Sequence, residues 1–381
     1  MKTLTTLFML LYTVCASCGE FPVMSRETLS YPLPDGNYMV TVTLGSKRRA
    51  ASTTIRCESR RLLCENVQTK KGEITALSFL VNKHSPVISD TERVRIKERE
   101  KTKLNWDDRL TIEVTGDNPA VIDIRITPDS VSPTIFLCGN STVVDQDEEP
   151  WASWGQMLPR FLNEKIAVAN YAESGETAST FCSALRFKRI LKDLKAGDFV
   201  VMEFGHNDMK QHAPGDGAYY NFTHTLKTMI DEVRLRGATP ILISPTQRRS
   251  FKDGRIQETH RDYPEAMEVL ARREGVCFID LHSYTRTLFE TWGEEDSKKA
   301  FVHYPAGTYP GQTKALADNT HFNPYGAYEI AKCVLRGFKE QGLLTEYFRD
   351  FTDFDPACPD PIESFHWTES ESIDIVKPDG N

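Results

Sequence analysis

The spacing of hydrophobic residues divides the chain into two halves with different periodicities. Between residues 21 and 130, apolar side chains alternate with polar ones in short segments rich in Val, Ile and Thr, and no helical spacing appears. Alternation with a period of two indicates strands that bury one face, and turn-forming residues separate the segments. This half is therefore predicted to be a small antiparallel β-sandwich, with strands at 38–44, 76–81, 110–114 and 121–126.

The second half alternates short apolar strands with amphipathic helices. It follows a linker rich in Pro and Ser at 128–133. Its last helix is predicted to begin at Asn323-Pro324, because Asn caps helices and Pro is favoured at the first helical position. Such alternation predicts an α/β fold with a five-stranded parallel sheet and an active site at the C-terminal ends of the strands. The predicted strands are 134–138, 166–170, 199–204, 240–244 and 276–280.

The first residues have the layout of an export signal. A basic residue at Lys2 precedes an apolar stretch at 4–14, and small residues follow at 16, 17 and 19. The stretch is too short to span a bilayer, which predicts a signal peptide over residues 1–18; a buried N-terminal helix is the alternative. Cys18 lies in a sequence similar to a bacterial lipoprotein cleavage box and is a candidate for lipid attachment. The expected location is the periplasm, the cell surface or the medium of a bacterium.

Composition and charge exclude several classes of protein function. With 40% hydrophobic and 26% charged residues, the 381-residue chain is expected to be globular and to form two domains. The net charge of −8 excludes a surface that binds nucleic acid or anionic lipid. Seven cysteines outside the signal form neither a disulfide scaffold nor a zinc pattern, although Cys57 and Cys64 are candidates for a pair. The acidic tail, 350–381, is predicted to run over the surface.

Unusual polar residues gather at the ends of the predicted strands. Residues 139–142, 173–176 and 205–208 follow the first three strands, and residues 318–321 precede the last helix. In a doubly wound sheet the first three segments project onto one rim, and the fourth can reach it. Taken singly, each segment also suits an ordinary turn or helix cap. Their order and positions together indicate one catalytic crevice.

The residue types in this crevice predict acyl transfer. Ser141 is the expected nucleophile, because His321 can accept its proton and Asp318 can orient the imidazole. Attack on an ester creates an oxyanion, which the backbone N–H groups of Ser141 and Gly175 and the side-chain amide of Asn207 can stabilise. His206 is expected to be structural rather than a second base. The surroundings of Ser141 are not G-x-S-x-G, which excludes the α/β-hydrolase elbow.

These segments together resemble the SGNH (GDSL-type) hydrolases, and within them the rhamnogalacturonan acetylesterase group. The four residues that name the family correspond to Ser141, Gly175, Asn207 and His321, with Asp318 as the acid, and the resemblance covers residues 134–345. It implies a flavodoxin-like three-layer catalytic domain at 134–349. It also implies removal of acetyl groups from pectic polysaccharide, with no cofactor and no metal. Another acyl substrate (acetylxylan, a lipid or a thioester) and a catalytically silent carbohydrate-binding protein are the alternatives.

The chain departs from the family pattern near the nucleophile and in the second segment. Asn140 stands where the family usually has Asp, and Glu176 stands where related enzymes often have a small or basic residue. The first half, 21–130, resembles the galactose-binding-like module that precedes some bacterial relatives. In it, Trp106 and the charged run at 93–103 are candidates for a sugar platform, with ordinary packing and a solvated loop as the alternative.

Overall fold

The computed structural model describes residues 27–371, 373–374 and 376–378, so the predicted signal peptide and Cys18 lie outside the described residues. The N-terminal half is made of strands, and two short 3-10 helices at Glu98–Thr102 and Leu104–Trp106 precede its last two strands. The strands are β1 (Glu27–Pro32), β2 (Gly36–Gly45), β3 (Ala51–Cys57), β4 (Arg61–Thr69), β5 (Ile74–Lys83), β6 (Arg109–Asn118) and β7 (Val121–Asp129).

Two antiparallel layers enclose the apolar core of this half. One layer has the strand order β1-β6-β3-β4, and β5, β2 and β7 form the other. Alternate residues of β2, namely Val40, Val42 and Leu44, are fully buried in this core, as the period-two pattern predicted. Cys57 and Cys64 are both buried here as free thiols, so the candidate disulfide between them is not formed.

The second half has the predicted succession of strands and helices. The strands, in chain order, are β8 (Thr134–Cys138), β9 (Ala167–Asn170), β10 (Phe199–Glu203), β11 (Thr239–Ile243), β12 (Phe251–Lys252), β13 (Arg255–Ile256), β14 (Cys277–Ile279), β15 (Phe301–Tyr304) and β16 (Leu316–Phe322). The helices are α1 (Trp154–Met157), α2 (Ala178–Ser183), α3 (Arg186–Asp193), α4 (Thr223–Leu235), α5 (Tyr263–Glu274), α6 (Leu281–Asp296) and α7 (Pro324–Glu340). No helix within the described ranges is long and apolar enough to cross a membrane.

The central sheet differs from the expected five-stranded one. It has eight strands in the order β14-β11-β10-β8-β9-β5-β2-β7, and the pairs from β14 to β9 are parallel. β5 joins β9 through the parallel pair Val81 and Val168, and β2 runs antiparallel to β5 and β7. An uncovered β9 would leave a row of unpaired backbone groups at a sheet edge, and β5 covers it. The antiparallel layer is therefore continuous with the α/β half.

Helices cover both faces of the parallel strands. In β8, Ile135 and Leu137 belong to one apolar core, and Phe136 and Cys138 belong to the other. α6 and α7 contribute to the first core, and α4 and α5 to the second. Strands buried on both faces explain the continuous apolar runs in the sequence and give a three-layer α/β arrangement.

The C-terminal segment packs against the body of the protein over much of its length. Phe351 and Phe354 are buried, and Trp367 donates its indole N–H to Glu149 (3.0 Å). The guanidinium carbon of Arg56 lies 4.2 Å from the centre of the Trp367 ring. The expected surface tail is thus held against both halves of the chain by aromatic and charged contacts.

Candidate active site

Ser141, His321 and Asp318 form one hydrogen-bonded array. The Oγ of Ser141 lies 2.9 Å from Nε2 of His321, and Nδ1 of the same ring lies 2.9 Å from Oδ2 of Asp318. All three residues are buried. Ser141 lies in the turn after β8. Such an array can take a proton from a serine hydroxyl and stabilise the imidazolium that results.

Asp318 and His321 lie on a strand that ends directly before the last helix. Both belong to β16, which pairs with β15, and Asn323 then caps α7 by accepting from the N–H of Gly326. The second carboxylate oxygen of Asp318 accepts from the backbone N–H groups of Thr320 (2.7 Å) and His321 (2.9 Å). Burial raises the pKa of Asp318, but the hydrogen bond and charge of His321 and these backbone donors outweigh it and lower the pKa. The carboxyl is therefore ionised at neutral pH.

Three hydrogen-bond donors come from the loops around Ser141. Within the part of the chain that the structure describes, the N–H groups of Ser141 and Gly175 have no acceptor. Gly175 has a φ of +80°, a conformation that favours glycine. The Nδ2 of Asn207 donates to the carbonyl of Glu176 (3.0 Å), and its Oδ1 accepts from Lys210 (3.3 Å). Because these contacts fix the orientation of the amide, its second N–H remains available for an oxyanion.

We expect Asn207→Ala to lower kcat for ester hydrolysis by about 100- to 1,000-fold, the usual effect of losing one oxyanion donor. The measurement is steady-state hydrolysis of 4-nitrophenyl acetate. Asn163→Ala is the matched control. Asn163 donates hydrogen bonds to the carbonyls of Glu346 and Tyr347 and touches no residue of the array. Equal kcat values for the two variants would contradict a role for the Asn207 amide.

Asn140 keeps the turn before the nucleophile without adding a charge. Its Oδ1 accepts from the N–H (3.2 Å) and the hydroxyl (3.0 Å) of Thr142. That hydroxyl also lies 2.8 Å from the fully buried Glu203, which accepts from Trp154 as well (2.5 Å). Burial raises the pKa of Glu203 to about 7. An Asp at position 140 would place a second carboxylate on the same hydroxyl, and Asn avoids that repulsion.

Glu203 makes stability depend on pH in a defined direction. Its pKa is about 7 in the folded protein and 4.5 ordinarily, so the folded state binds the proton more tightly. The contribution of Glu203 to the free energy of unfolding is fully present below pH 4.5. It is lost as pH rises through 7, and the total loss is about 3 kcal/mol. We expect the free energy of unfolding of the wild type to fall by about this amount relative to Glu203→Gln between pH 4.5 and 8. Urea unfolding of both proteins measures it; parallel pH profiles would contradict it.

The charged run at 93–103 holds the loop that carries Gly175. Arg99 donates to Glu173 through Nε (3.0 Å) and Nη2 (2.7 Å), and Lys103 lies 3.2 Å from the same carboxylate. Lys97 contacts the Ser174 carbonyl (2.5 Å) and Glu176 (3.0 Å). Burial raises the pKa of Glu173, but Lys103, Arg186 and Arg99 outweigh burial and lower it. In this run Lys97, Arg99 and Lys103 therefore hold the Gly175 loop through ion pairs and do not form a solvated loop. Trp106 is likewise packed, with its N–H on Glu100 (2.9 Å).

We expect Arg99→Met to lower kcat by about 10- to 100-fold, because small displacements of catalytic groups have effects of this size. KM for 4-nitrophenyl acetate should change much less, since Arg99 touches the loop and not the array. Arg99→Lys should give an intermediate kcat, because Lys lacks the forked geometry. Lys101→Met is the control, as Lys101 pairs with the exposed Glu98. A change in KM alone would refute the positioning role.

Two contacts to the array were not predicted from the sequence. The Trp151 ring stands edge-on to His321, with centroids 5.8 Å apart, and its N–H donates to the carbonyl of Asp374 (2.8 Å). Lys377 lies 3.4 Å from Oδ2 of Asp318. The C-terminal segment therefore reaches the active site. A tryptophan ten residues after the nucleophile was the only local signal, and nothing near Lys377 in the sequence indicated its position.

The imidazole of His206 is buried beside the array. Its Nδ1 is 3.0 Å from Nε2 of His260, and its Nε2 is 3.1 Å from the hydroxyl of Thr246. Burial lowers the pKa of both rings well below the ordinary value, with help from neighbouring cations. Both are therefore neutral at physiological pH. These contacts match the structural role expected for His206.

One group among the described residues has the ligand types for a metal ion, namely Glu258, His260 and His282. Nε2 of His282 already lies 2.7 Å from Glu258, and Arg286 lies 3.3 Å from the same oxygen. Arg248 lies 3.4 Å from His260. The positive charges of the Arg248 and Arg286 guanidinium groups would repel a divalent cation at these three residues, so we assign no metal to them.

Comparison with known proteins places the second half of the chain in a family. Residues 137–327 match the GDSL-like Lipase/Acylhydrolase family. Rhamnogalacturonan acetylesterase RhgT of Bacillus subtilis is 38% identical over 212 residues, which are 55% of this chain and 90% of RhgT. A rhamnogalacturonan acetylesterase of Emericella nidulans is 28% identical over 260 residues, 63% of this chain and 98% of that protein.

The crystal structure of protein YxiM from Bacillus subtilis has a TM-score of 0.51 at 24% identity. The match covers 84% of this chain and 81% of YxiM, which indicates a shared fold. The family match spans all the residues of the array and of the three donor loops. The chain therefore belongs to the GDSL-like Lipase/Acylhydrolase family and is a carboxylic ester hydrolase.

Proposed function

We propose that this protein is an exported serine esterase that removes acetyl groups from pectic polysaccharide. The observation that carries the proposal is the hydrogen-bonded array in which Ser141, His321 and Asp318 are joined by two contacts of 2.9 Å. The N–H groups of Ser141 and Gly175 and the Asn207 amide are the oxyanion donors in this proposal. The substrate class is supported by relatives named as rhamnogalacturonan acetylesterases.

The reaction follows from the positions of these groups. Oγ of Ser141 attacks the acetyl carbonyl as its proton passes to Nε2 of His321, and Asp318 stabilises the imidazolium. The negative charge on the carbonyl oxygen is met by the N–H groups of Ser141 and Gly175 and by the Asn207 amide. The tetrahedral intermediate then expels the sugar alcohol, which takes the proton from His321. Water, activated by the same imidazole, hydrolyses the acetyl-serine and releases acetate.

Acetate release from a panel of acetylated plant polysaccharides tests the substrate class. Acetylated rhamnogalacturonan, homogalacturonan and xylan are compared at equal acetyl content, with Ser141→Ala as the blank. We expect the highest kcat/KM on rhamnogalacturonan. A clear preference for xylan would assign the enzyme to a different carbohydrate, and no release from any polymer would exclude carbohydrate deacetylation.

The second candidate is an esterase with the same machinery and another acyl substrate. Family membership favours it, because the family includes lipases as well as acylhydrolases. Hydrolysis of nitrophenyl esters from acetyl to decanoyl separates the two, and a preference for long acyl chains would support the second. A silent carbohydrate-binding protein would leave Ser141 unlabelled by a fluorophosphonate probe in folded protein, whereas an active array would be labelled.

Export and domain organisation are further parts of the proposal. Residues 1–18 are proposed to be a signal peptide, with Cys18 as a candidate lipid anchor and the periplasm, cell surface or medium as destination. Residues 21–130 are proposed to act as a galactose-binding-like β-sandwich, residues 134–349 as the catalytic domain built on the five parallel strands, and residues 350–381 as the tail. The intact mass of the mature protein tests the first point, since cleavage and lipidation change it differently.

A further inference from the structure

A polar cavity of about 430 Å³ lies where the N-terminal half meets the loop after β8 and the C-terminal segment. One wall is the turn between β3 and β4, residues 58–60, and another includes Thr102, Lys103 and Leu104. The loop after β8 contributes Asp147 and Glu148, and the C-terminal segment contributes Ser370 and Glu371. The volume falls within the usual range of ligand pockets, about 300–1,000 Å³.

This cavity is joined to the active site through two side chains. Lys103 lies 3.2 Å from Glu173, which precedes Gly175, and 3.4 Å from Asp147. Arg60 donates to the carbonyls of Gln146 (3.1 Å) and Trp151 (3.0 Å), in the loop that follows Ser141. Two side chains of the cavity wall therefore also contact the loops that carry Ser141 and Gly175.

The turn at 58–60 carries polar atoms that lack partners. Oε2 of Glu58, Oγ of Ser59 and Nε of Arg60 are buried and have no hydrogen-bond partner among the described residues. The three side chains are at most 4% exposed. Glu58 and Arg60 also have φ values of +52° and +62°, an unfavourable conformation for side-chain-bearing residues. Unpaired buried polar atoms and backbone strain in one wall are typical of a site that binds a polar ligand.

The lining suits a neutral polyhydroxylated ligand. Five hydroxyl groups face or border the cavity, and one aliphatic side chain, that of Leu104, lines it; the hydroxyls belong to Thr28, Ser59, Thr102, Thr111 and Ser370. Burial raises the pKa of Glu58 to about 8, so its carboxyl can donate as well as accept a hydrogen bond.

Charge argues against ionic ligands. Two of the lining carboxylates are already paired, Glu113 with Arg56 (3.0 Å) and Asp147 with Lys103. A divalent cation would meet Arg60 and Lys103 in the walls, and an anion would meet the carboxylates of Glu113, Asp147 and Glu148. A molecule with many hydroxyls and no charge matches this surface better than either.

We propose that this cavity is a second carbohydrate-binding site, which holds a neutral sugar residue of the polysaccharide whose acetyl group is cleaved at Ser141. The assignment rests on the proposed carbohydrate substrate. It makes the N-terminal half a part of substrate recognition, at a site other than Trp106. It also explains why Arg60 and Lys103 connect the cavity to the two loops that carry Ser141 and Gly175.

The test places a bulky side chain in the cavity by substitution at its rim. KM is then compared between a long oligosaccharide substrate and a short ester. Thr28 lies on β1, an edge strand of the four-stranded layer, and is exposed. We expect Thr28→Trp to raise KM for acetylated rhamnogalacturonan oligosaccharides at least tenfold more than KM for 4-nitrophenyl acetate. Leu104→Trp, which fills the cavity from another wall, should raise KM for the oligosaccharides in the same way. Gln68→Trp is the matched control, because Gln68 is exposed on β4 at the other edge of the same layer.

Each outcome supports or overturns the assignment. A selective rise in KM with both cavity variants and not with Gln68→Trp supports it. If the wild type cleaves the oligosaccharides and the cavity variants keep its KM, the second site is refuted and the proposed function stands. If the wild type cleaves none of the oligosaccharides but cleaves 4-nitrophenyl acetate, the proposed function fails and the sugar site fails with it.

Discussion

Ser141→Ala is expected to lower kcat for ester hydrolysis by about 10⁴-fold or more, the largest effect of any single substitution in this protein. The variant loses the nucleophile while His321, Asp318 and the oxyanion donors remain. The residual rate then reflects water attack assisted by binding and by those donors, which is why some acceleration over solution should survive. Acetate release and 4-nitrophenyl acetate hydrolysis both measure the effect.

The fold should be unchanged in Ser141→Ala. The hydroxyl of Ser141 has one side-chain partner among the described residues, Nε2 of His321, and the serine side chain is small. The thermal midpoint should therefore stay within a few degrees of the wild type. Ser183→Ala is the control, since Ser183 is exposed on α2 and contacts the carbonyl of Thr180. If Ser141→Ala kept more than a tenth of the activity, Ser141 would not be the nucleophile.

Asp318→Asn is expected to lower kcat by about 10⁴-fold, through the orientation of His321. The Asn oxygen can still accept from the backbone N–H groups of Thr320 and His321, so the turn is kept. Its NH₂ group then faces Nδ1 of the imidazole and favours the tautomer whose proton is on Nε2. That tautomer cannot accept the proton of Ser141.

Kinetics and stability together distinguish this effect from loss of structure. Asp318→Asn should keep KM for 4-nitrophenyl acetate near the wild-type value, because the side chain does not face the oxyanion donors. Asp296→Asn is the control, since Asp296 pairs with the exposed Lys299. A loss of less than about tenfold in Asp318→Asn would mean that another group, such as Glu203 or His206, orients the base.

The period of the hydrophobic pattern was sufficient to predict where the parallel strands lie in the sequence. A strand buried on both faces is a short apolar run, as in β8, and the surrounding helices repeat at helical spacing. The predicted strands at 134–138 and 199–204 coincide with β8 and β10 within one residue. Asn323 and Pro324 marked the start of α7 for a local reason, since capping uses hydrogen bonds within a few residues.

Contacts between residues far apart in the chain could not be predicted from the hydrophobic pattern. The junction of β5 with β9 rests on one backbone pair, Val81 with Val168, and neither strand carries a local signal for the other. The position of Lys377 beside Asp318 is a second case, because a solvated tail and a packed tail can have the same composition. Such contacts depend on the whole fold.

The order of the polar segments at strand ends, together with the resemblance to the SGNH hydrolases, was enough to nominate Ser141, His321 and Asp318. The 2.9 Å contacts between them, however, required β8 and β16 to meet in space. The role of the charged run changed in the same way. As sequence, Arg99 and Lys103 suit a solvated loop. In the fold they meet the buried Glu173, where an unpaired carboxylate would be costly, and so they hold the loop that carries Gly175.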